Sequence, residues 1–152
     1  MNDAGRGPRL GVDVGKVRVG VAMSDPDGIL ASPVKTLARD LDAGLDVVPS
    51  DIAEVALLVK EHGAIGVVVG LPVTLAGTES HAASHVRAYA QRLAALIAPV
   101  PVTLVDERMS TVVASRRLSE QGVRGRRQRA VVDQAAAVEI LQSWLDAQRR
   151  QT

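Results

Sequence analysis

The spacing of apolar residues changes along the chain, and each change marks an element. Arg9–Val14 is a short run with Val and Leu, and Val17–Ser24 alternates through Val17, Val19 and Val21, so both read as strands joined at a Gly15–Lys16 turn. Asp25-Pro26-Asp27-Gly28 is a strong turn signal, with Pro second and Gly fourth, and Ile29–Leu37 follows as a third strand. Three strands joined by tight turns predict an antiparallel meander. The period then becomes helical: Leu45, Val48, Ile52, Val55 and Val59 predict a helix over about 46–62, closed by Gly63. Ala64–Gly70 is apolar throughout and too short for a helix, which predicts a buried central strand. A loop through Gly77 leads, with Thr78–Ser80 as cap, into a helix over about 79–98 that Pro99 and Pro101 stop. Val102–Val105 reads as another buried strand, and helices over about 110–121 and 132–149 follow, joined by an Arg-rich loop.

The resulting order is β-β-β-α-β-α-β-α-α. An antiparallel set that continues into βαβ units predicts an α/β fold. Its five-stranded sheet is mixed, three strands antiparallel and two parallel, with helices on both faces. This is the layout of an RNase H-like fold. The 152 residues suit one domain, expected over 9–150 after a disordered tail at 1–8, and no repeat or linker interrupts it.

Composition narrows the chemistry. With no Phe, one Tyr and one Trp, the core is packed from Val, Leu, Ile and Ala, and single-strand recognition by base stacking is disfavoured. The absence of Cys closes thiolate metal sites and Cys nucleophiles. No signal-like h-region opens the chain and no apolar run approaches a bilayer span, so a soluble, cytoplasmic protein without membrane association is expected. The net charge of +1 is unevenly spread. Residues 108–129 hold seven Arg against one acid, Glu120, a local +6 suited either to a phosphate-binding face or to a solvated surface.

Three acids stand at telling positions. Asp13 lies inside the first strand, where a charge is costly unless paired or bound to metal. Glu107 follows a strand's carboxyl end, where ligands gather in open α/β sheets. Asp133 opens the last helix, four residues before Ala137 on the face formed by Ala137, Ile140, Leu141, Trp144 and Leu145, and so points inward. Converging carboxylates repel unless a cation neutralises them, and an oxygen-only set favours Mg²⁺ or Mn²⁺. Two such ions could activate water and hold the leaving oxygen of a phosphodiester. Each acid also has a plainer reading: turn bonding for Asp13, a helix cap for Asp133 and an exposed strand end for Glu107.

GVDVGKVRVGVAMSD (11–25), VVVGLPVTLAGTES (67–80), VDERMSTVVASRRL (105–118) and VVDQAAAVEILQSWL (131–145) together resemble the RuvX/YqgF family. The likeness runs over residues 9–147. The family is described both as Holliday junction resolvases and as nucleases trimming the 5′ end of pre-16S rRNA. The resemblance implies an RNase H-like fold and a hydrolase, an endonuclease acting on phosphodiester bonds. It also sets the family's catalytic, metal-holding acids on Asp13, Glu107 and Asp133; Asp106 ranks below Glu107 because adjacent strand residues point to opposite sides. Where the family often carries Asn and then Asp after Gly-Leu-Pro, this chain has Thr74 and Ala76, so that loop lacks both side chains.

Lys16, Arg18 and Arg108 are candidates to hold phosphates near the metals, and Arg124, Arg126, Arg127 and Arg129 to grip the backbone from a loop around Gly125. Surface ion pairing is the plain alternative for Arg18 and Arg108. His81 and His85 share a helix face but lack the zincin Glu. The expected partner is nucleic acid, structured RNA or branched DNA. Processing of pre-16S rRNA in ribosome biogenesis, by a monomer, stands beside junction resolution by a homodimer. A non-catalytic nucleic-acid-binding accessory is the further alternative. An actin-like ATPase would need two such lobes.

Overall fold

The computed structural model describes residues 6–74, 76–77, 81–109 and 126–151. The expected helix over 110–121 lies outside them. Five strands, β1 (Arg9–Val14), β2 (Arg18–Ser24), β3 (Ala31–Ala38), β4 (Gly66–Leu71) and β5 (Val102–Asp106), form one sheet in the order β3-β2-β1-β4-β5. β1–β2 and β2–β3 pair antiparallel, while β1–β4 and β4–β5 pair parallel. Helices α1 (Ser50–His62) and α2 (His81–Ile97) cover one face, and α3 (Arg126–Arg150) crosses the other. The mixed sheet with helices on both faces is the architecture the hydrophobic pattern predicts.

Alternation along β1 divides the two cores. Leu10 and Val12 pack with Ile52, Val55, Val86 and Leu93 under α1 and α2. Gly11 and Asp13 face α3, whose Ala136, Ala137, Ile140, Leu141 and Leu145 are buried on the sheet. β4 is buried along its whole length because it lies between β1 and β5. β5 is half-buried, not a buried strand as the apolar run suggested, because it is the sheet's edge and its Thr103 is exposed.

Three boundaries move for local reasons. α1 begins at Ser50, not near 46: Pro49 precedes its first turn, Asp40 Oδ2 accepts the Ser50 amide at 2.9 Å, and Leu45 and Val48 are exposed. Gly63 ends it as expected, in the left-handed conformation at φ 61°. α3 begins at Arg126, not near 132, because the Arg and Gln residues after Gly125 favour helix. At the chain's start, Gly7 donates to the Pro26 carbonyl and Pro8 accepts from Ile65, so residues 7 and 8, read from sequence as tail, are held to the fold.

Candidate active site

A row of positions on the α3 face of the sheet organises the site. Asp13 pairs with Gly20 across β1 and β2. One step past the Val12–Val69 pair, its other neighbour is Gly70 on β4. Both flanking positions lack a side chain, and both spaces are filled by the elements that bring the other acids. A Cβ on Gly20 would stand 2.0 Å from the Asp133 carbonyl oxygen, and one on Gly70 would stand 3.2 Å from Glu107 Cγ and 2.6 Å from Ile140 Cδ1. Glycine inside these strands therefore lets α3 and the turn after β5 approach the sheet. Asp13 and Glu107 are buried, 4% and 7% exposed, and Asp133 is half-buried.

The three acids thus share one face, with Asp13 in the middle. Asp133 and Glu107 approach opposite flanks, over strands two spacings apart, or about 9–10 Å. Among the described residues no three His, Cys, Asp or Glu side chains stand together as a ready metal-holding group. Asp133 does not open its helix, as the sequence suggested. It lies two turns inside α3, which removes the helix-cap reading. Its Oδ2 accepts from Arg18 Nε at 2.7 Å, an ion pair between residues 115 apart in sequence.

Glu107 begins a 3-10 turn (Glu107–Met109) and lines, with Val105, Ile140 and Trp144, a pocket of about 250 Å³ between β5 and α3. Its neighbour Asp106 turns to Arg108, whose Nη2 lies 2.7 Å from Asp106 Oδ2 and whose Nε donates to both carboxylate oxygens. The Arg108 guanidinium holds the Asp106 carboxyl below the usual carboxylate range. Gly77, in the loop after β4 with φ 85°, lies against Arg108. Lys16 is exposed in the turn that the Gly15 amide closes on the Arg18 carbonyl at 2.8 Å. Arg126, Arg127 and Arg129 fall on the first turns of α3, not in a loop, with side chains outside what the structure describes. Arg124 lies outside the described residues altogether.

Sequence reasoning missed the group that anchors this turn. Arg39, at the end of β3, donates from Nη1 to the Gly15 carbonyl at 2.8 Å. Its Nε lies 3.4 Å from Asp51 Oδ2, its guanidinium stacks 5.1 Å over the Tyr89 ring, and its Nη2 meets His85 Nε2 at 2.9 Å. Tyr89 Oη donates to Asp51 Oδ2 at 2.9 Å, and Asp51 Oδ1 accepts the Asp40 amide. Burial, and then the Asp51 charge, push the Tyr89 phenol above its ordinary pKa, so it stays a neutral donor. No local pattern announces this group, because its members come from one strand end and two helices. Gly20 was missed as well, although a glycine inside an alternating strand is a signal of close approach.

Comparison with known proteins gives the family and the fold. The family model for RuvX, described as Holliday junction resolvase, matches residues 7–147. A Rhodococcus opacus protein named "Putative pre-16S rRNA nuclease" is 53% identical over 150 residues, covering 99% of this chain and 83% of its own. A relative of the same name from Mycolicibacterium smegmatis is 55% identical over 148 residues, covering 97% and 85%. Among solved structures, Thermus thermophilus RuvC in complex with a Holliday junction substrate superposes with a TM-score of 0.56 at 14% identity, covering 96% of this chain and 97% of that one. That likeness speaks for the RNase H-like fold. The chain therefore belongs to the RuvX family of RNase H-like nucleases, hydrolases of phosphodiester bonds.

Proposed function

We propose that this chain is a divalent-metal-dependent endonuclease that processes the 5′ end of pre-16S rRNA, with Asp13, Glu107 and Asp133 as its catalytic, metal-holding acids. The reading rests on the row Gly20–Asp13–Gly70, whose two glycines admit Asp133 and Glu107 to either side of Asp13. The donor set suits a hard cation: three carboxylates, with neither Cys nor His. Asp13 and Glu107 are buried carboxylates, an environment in which a cation held between them would add counter-charge to the partners they have. When bound, Mg²⁺ or Mn²⁺, as two ions in this reading, supplies a nucleophilic water at neutral pH and Lewis acidity toward a phosphodiester.

The chain's own groups do the rest. The sheet fixes Asp13, and α3 fixes the Asp133 backbone against Gly20, so gathering the carboxylates round a cation takes side-chain movement from fixed backbone positions. Lys16, in the turn after Asp13, and Arg108, next to Glu107, are candidates to hold backbone phosphates, as are Arg124, Arg126, Arg127 and Arg129 on their sequence positions. These contacts position the strand without reading its sequence. The partner is nucleic acid, and no helix among the described residues is long and apolar enough to cross a membrane. A cytoplasmic site of action accords with an rRNA precursor as substrate.

The choice of rRNA follows the names of the relatives, which are about half identical over nearly the whole chain. The family description favours a second reading, resolution of four-way DNA. A resolvase cuts two opposed strands, which calls for a two-fold dimer, whereas a precursor trimmer can act as a monomer. Presenting a structured precursor-rRNA fragment and a four-way DNA junction side by side, with Mg²⁺ and with Mn²⁺, separates the readings. Cleavage of the RNA at a defined position by monomeric protein supports the first. Symmetric cuts in the DNA alone, by a dimer, replace it with the second.

A further inference from the structure

Arg18 and Gly20 lie on the same face of β2, the face that α3 covers. The Asp133 backbone is fixed there, since its carbonyl fills the space over Gly20. Its carboxylate therefore has a short reach, and within that reach the Arg18 guanidinium donates to Oδ2 at 2.7 Å. The two side chains are 29% and 20% exposed, so water screens the pair only in part.

We infer that Arg18 is a built-in counter-ion of Asp133 that competes with the divalent cation and is released from Oδ2 when the cation binds. This rests on the reading of Asp133 as a metal-holding acid. Two physical effects act in the same direction. A guanidinium N–H and a metal ion draw on the same carboxylate lone pairs. A fixed positive charge beside the site also repels a second cation. In the metal-free protein Arg18 keeps Asp133 neutralised and α3 seated on the sheet. In the metal-loaded protein the same guanidinium, freed beside the site, becomes a donor for a phosphate of the bound strand. Arg108 is held differently: it folds onto Asp106, and each of those side chains is more exposed than its counterpart, arginine or aspartate, in the Arg18–Asp133 pair.

Mn²⁺ titration of the purified full-length chain without nucleic acid, by calorimetry and by the electron spin resonance signal of free Mn²⁺, tests this on wild type, Arg18→Gln, Arg18→Lys and Asp133→Asn. Arg18→Gln is expected to bind Mn²⁺ about threefold to tenfold more tightly. It should also melt below wild type without metal, with the gap narrowing at saturating Mn²⁺. Arg18→Lys keeps the charge and should stay near wild type in affinity. A readout on the unaltered protein stands beside these: the Arg18 Nε–H resonance, assigned by its loss in Arg18→Lys, should be protected from solvent exchange without metal and lose protection on adding Mg²⁺. Unchanged or weaker Mn²⁺ binding by Arg18→Gln, or an Nε–H signal indifferent to Mg²⁺, overturns the inference while leaving Asp133 as a ligand. Wild-type affinity in Asp133→Asn overturns the ligand reading itself.

Discussion

Arg39 Nη1 donates to the Gly15 carbonyl at 2.8 Å, tying the turn that follows Asp13 to a buried ion pair with Asp51. The link runs from helices α1 and α2, on one face of the sheet, to the loop that carries Lys16 and leads to Arg18. Arg39→Met would leave the fully buried Asp51 side chain without its guanidinium. The expected loss is about 3–5 kcal/mol of stability by urea unfolding, the usual result of removing one partner of a buried pair. Tyr89→Phe removes only the hydrogen bond to Asp51 and should cost about 1–2 kcal/mol. Equal losses from the two would show that the pair adds nothing beyond ordinary packing.

Gly20 sets how closely α3 approaches the sheet. A Cβ there would lie 2.0 Å from a backbone oxygen, which no side-chain rotation relieves. Gly20→Ala is expected to destabilise the chain by about 3 kcal/mol or more. Gly44→Ala, with nothing within 4 Å and no positive φ, serves as the control and should be neutral or stabilising by about 0.5 kcal/mol. Chemical denaturation of both variants measures the contrast.

Asp25 predicts an acid limb in the stability curve. The amide of Leu30 first, then those of Ile29 and Asp27, hold its carboxyl below the ordinary range. A pKa depressed on folding adds stability that is fully present above the unfolded value, about 3.9, and is lost as pH falls through the folded one. The melting temperature of Asp25→Asn should therefore lie below wild type at pH 7, and the gap should close toward pH 2. A gap that stays constant with pH would mean the turn draws nothing from the charge.

Much of this was legible in the sequence because it rests on periodicity. Val12, Val67 and Val69 announced strands by apolar spacing, and Ile140, Leu141 and Leu145 announced the buried face of α3. Asp13 stood out as a charge where burial was certain. The starts of α1 and α3 were misread because spacing cannot tell a helical face from apolar residues that happen to fall in a loop. Leu45 keeps the helical interval yet is 98% exposed, ahead of Pro49. Nor could spacing show that Arg18 pairs with Asp133 or that Arg39 pairs with Asp51, since each partnership depends on how sheet and helices stack. The acids were readable one at a time; their order across the strands was not.

The most direct measurement is cleavage of precursor rRNA and four-way DNA by wild type and Asp13→Asn, with Mn²⁺ present and folding of both checked by circular dichroism. Asp13 lies between Glu107 and Asp133, so removing its charge should lower cleavage about a hundredfold or more while nucleic-acid binding persists. Equal cleavage by the two proteins would contradict the account, because the acid at the centre of the row would then take no part in the chemistry.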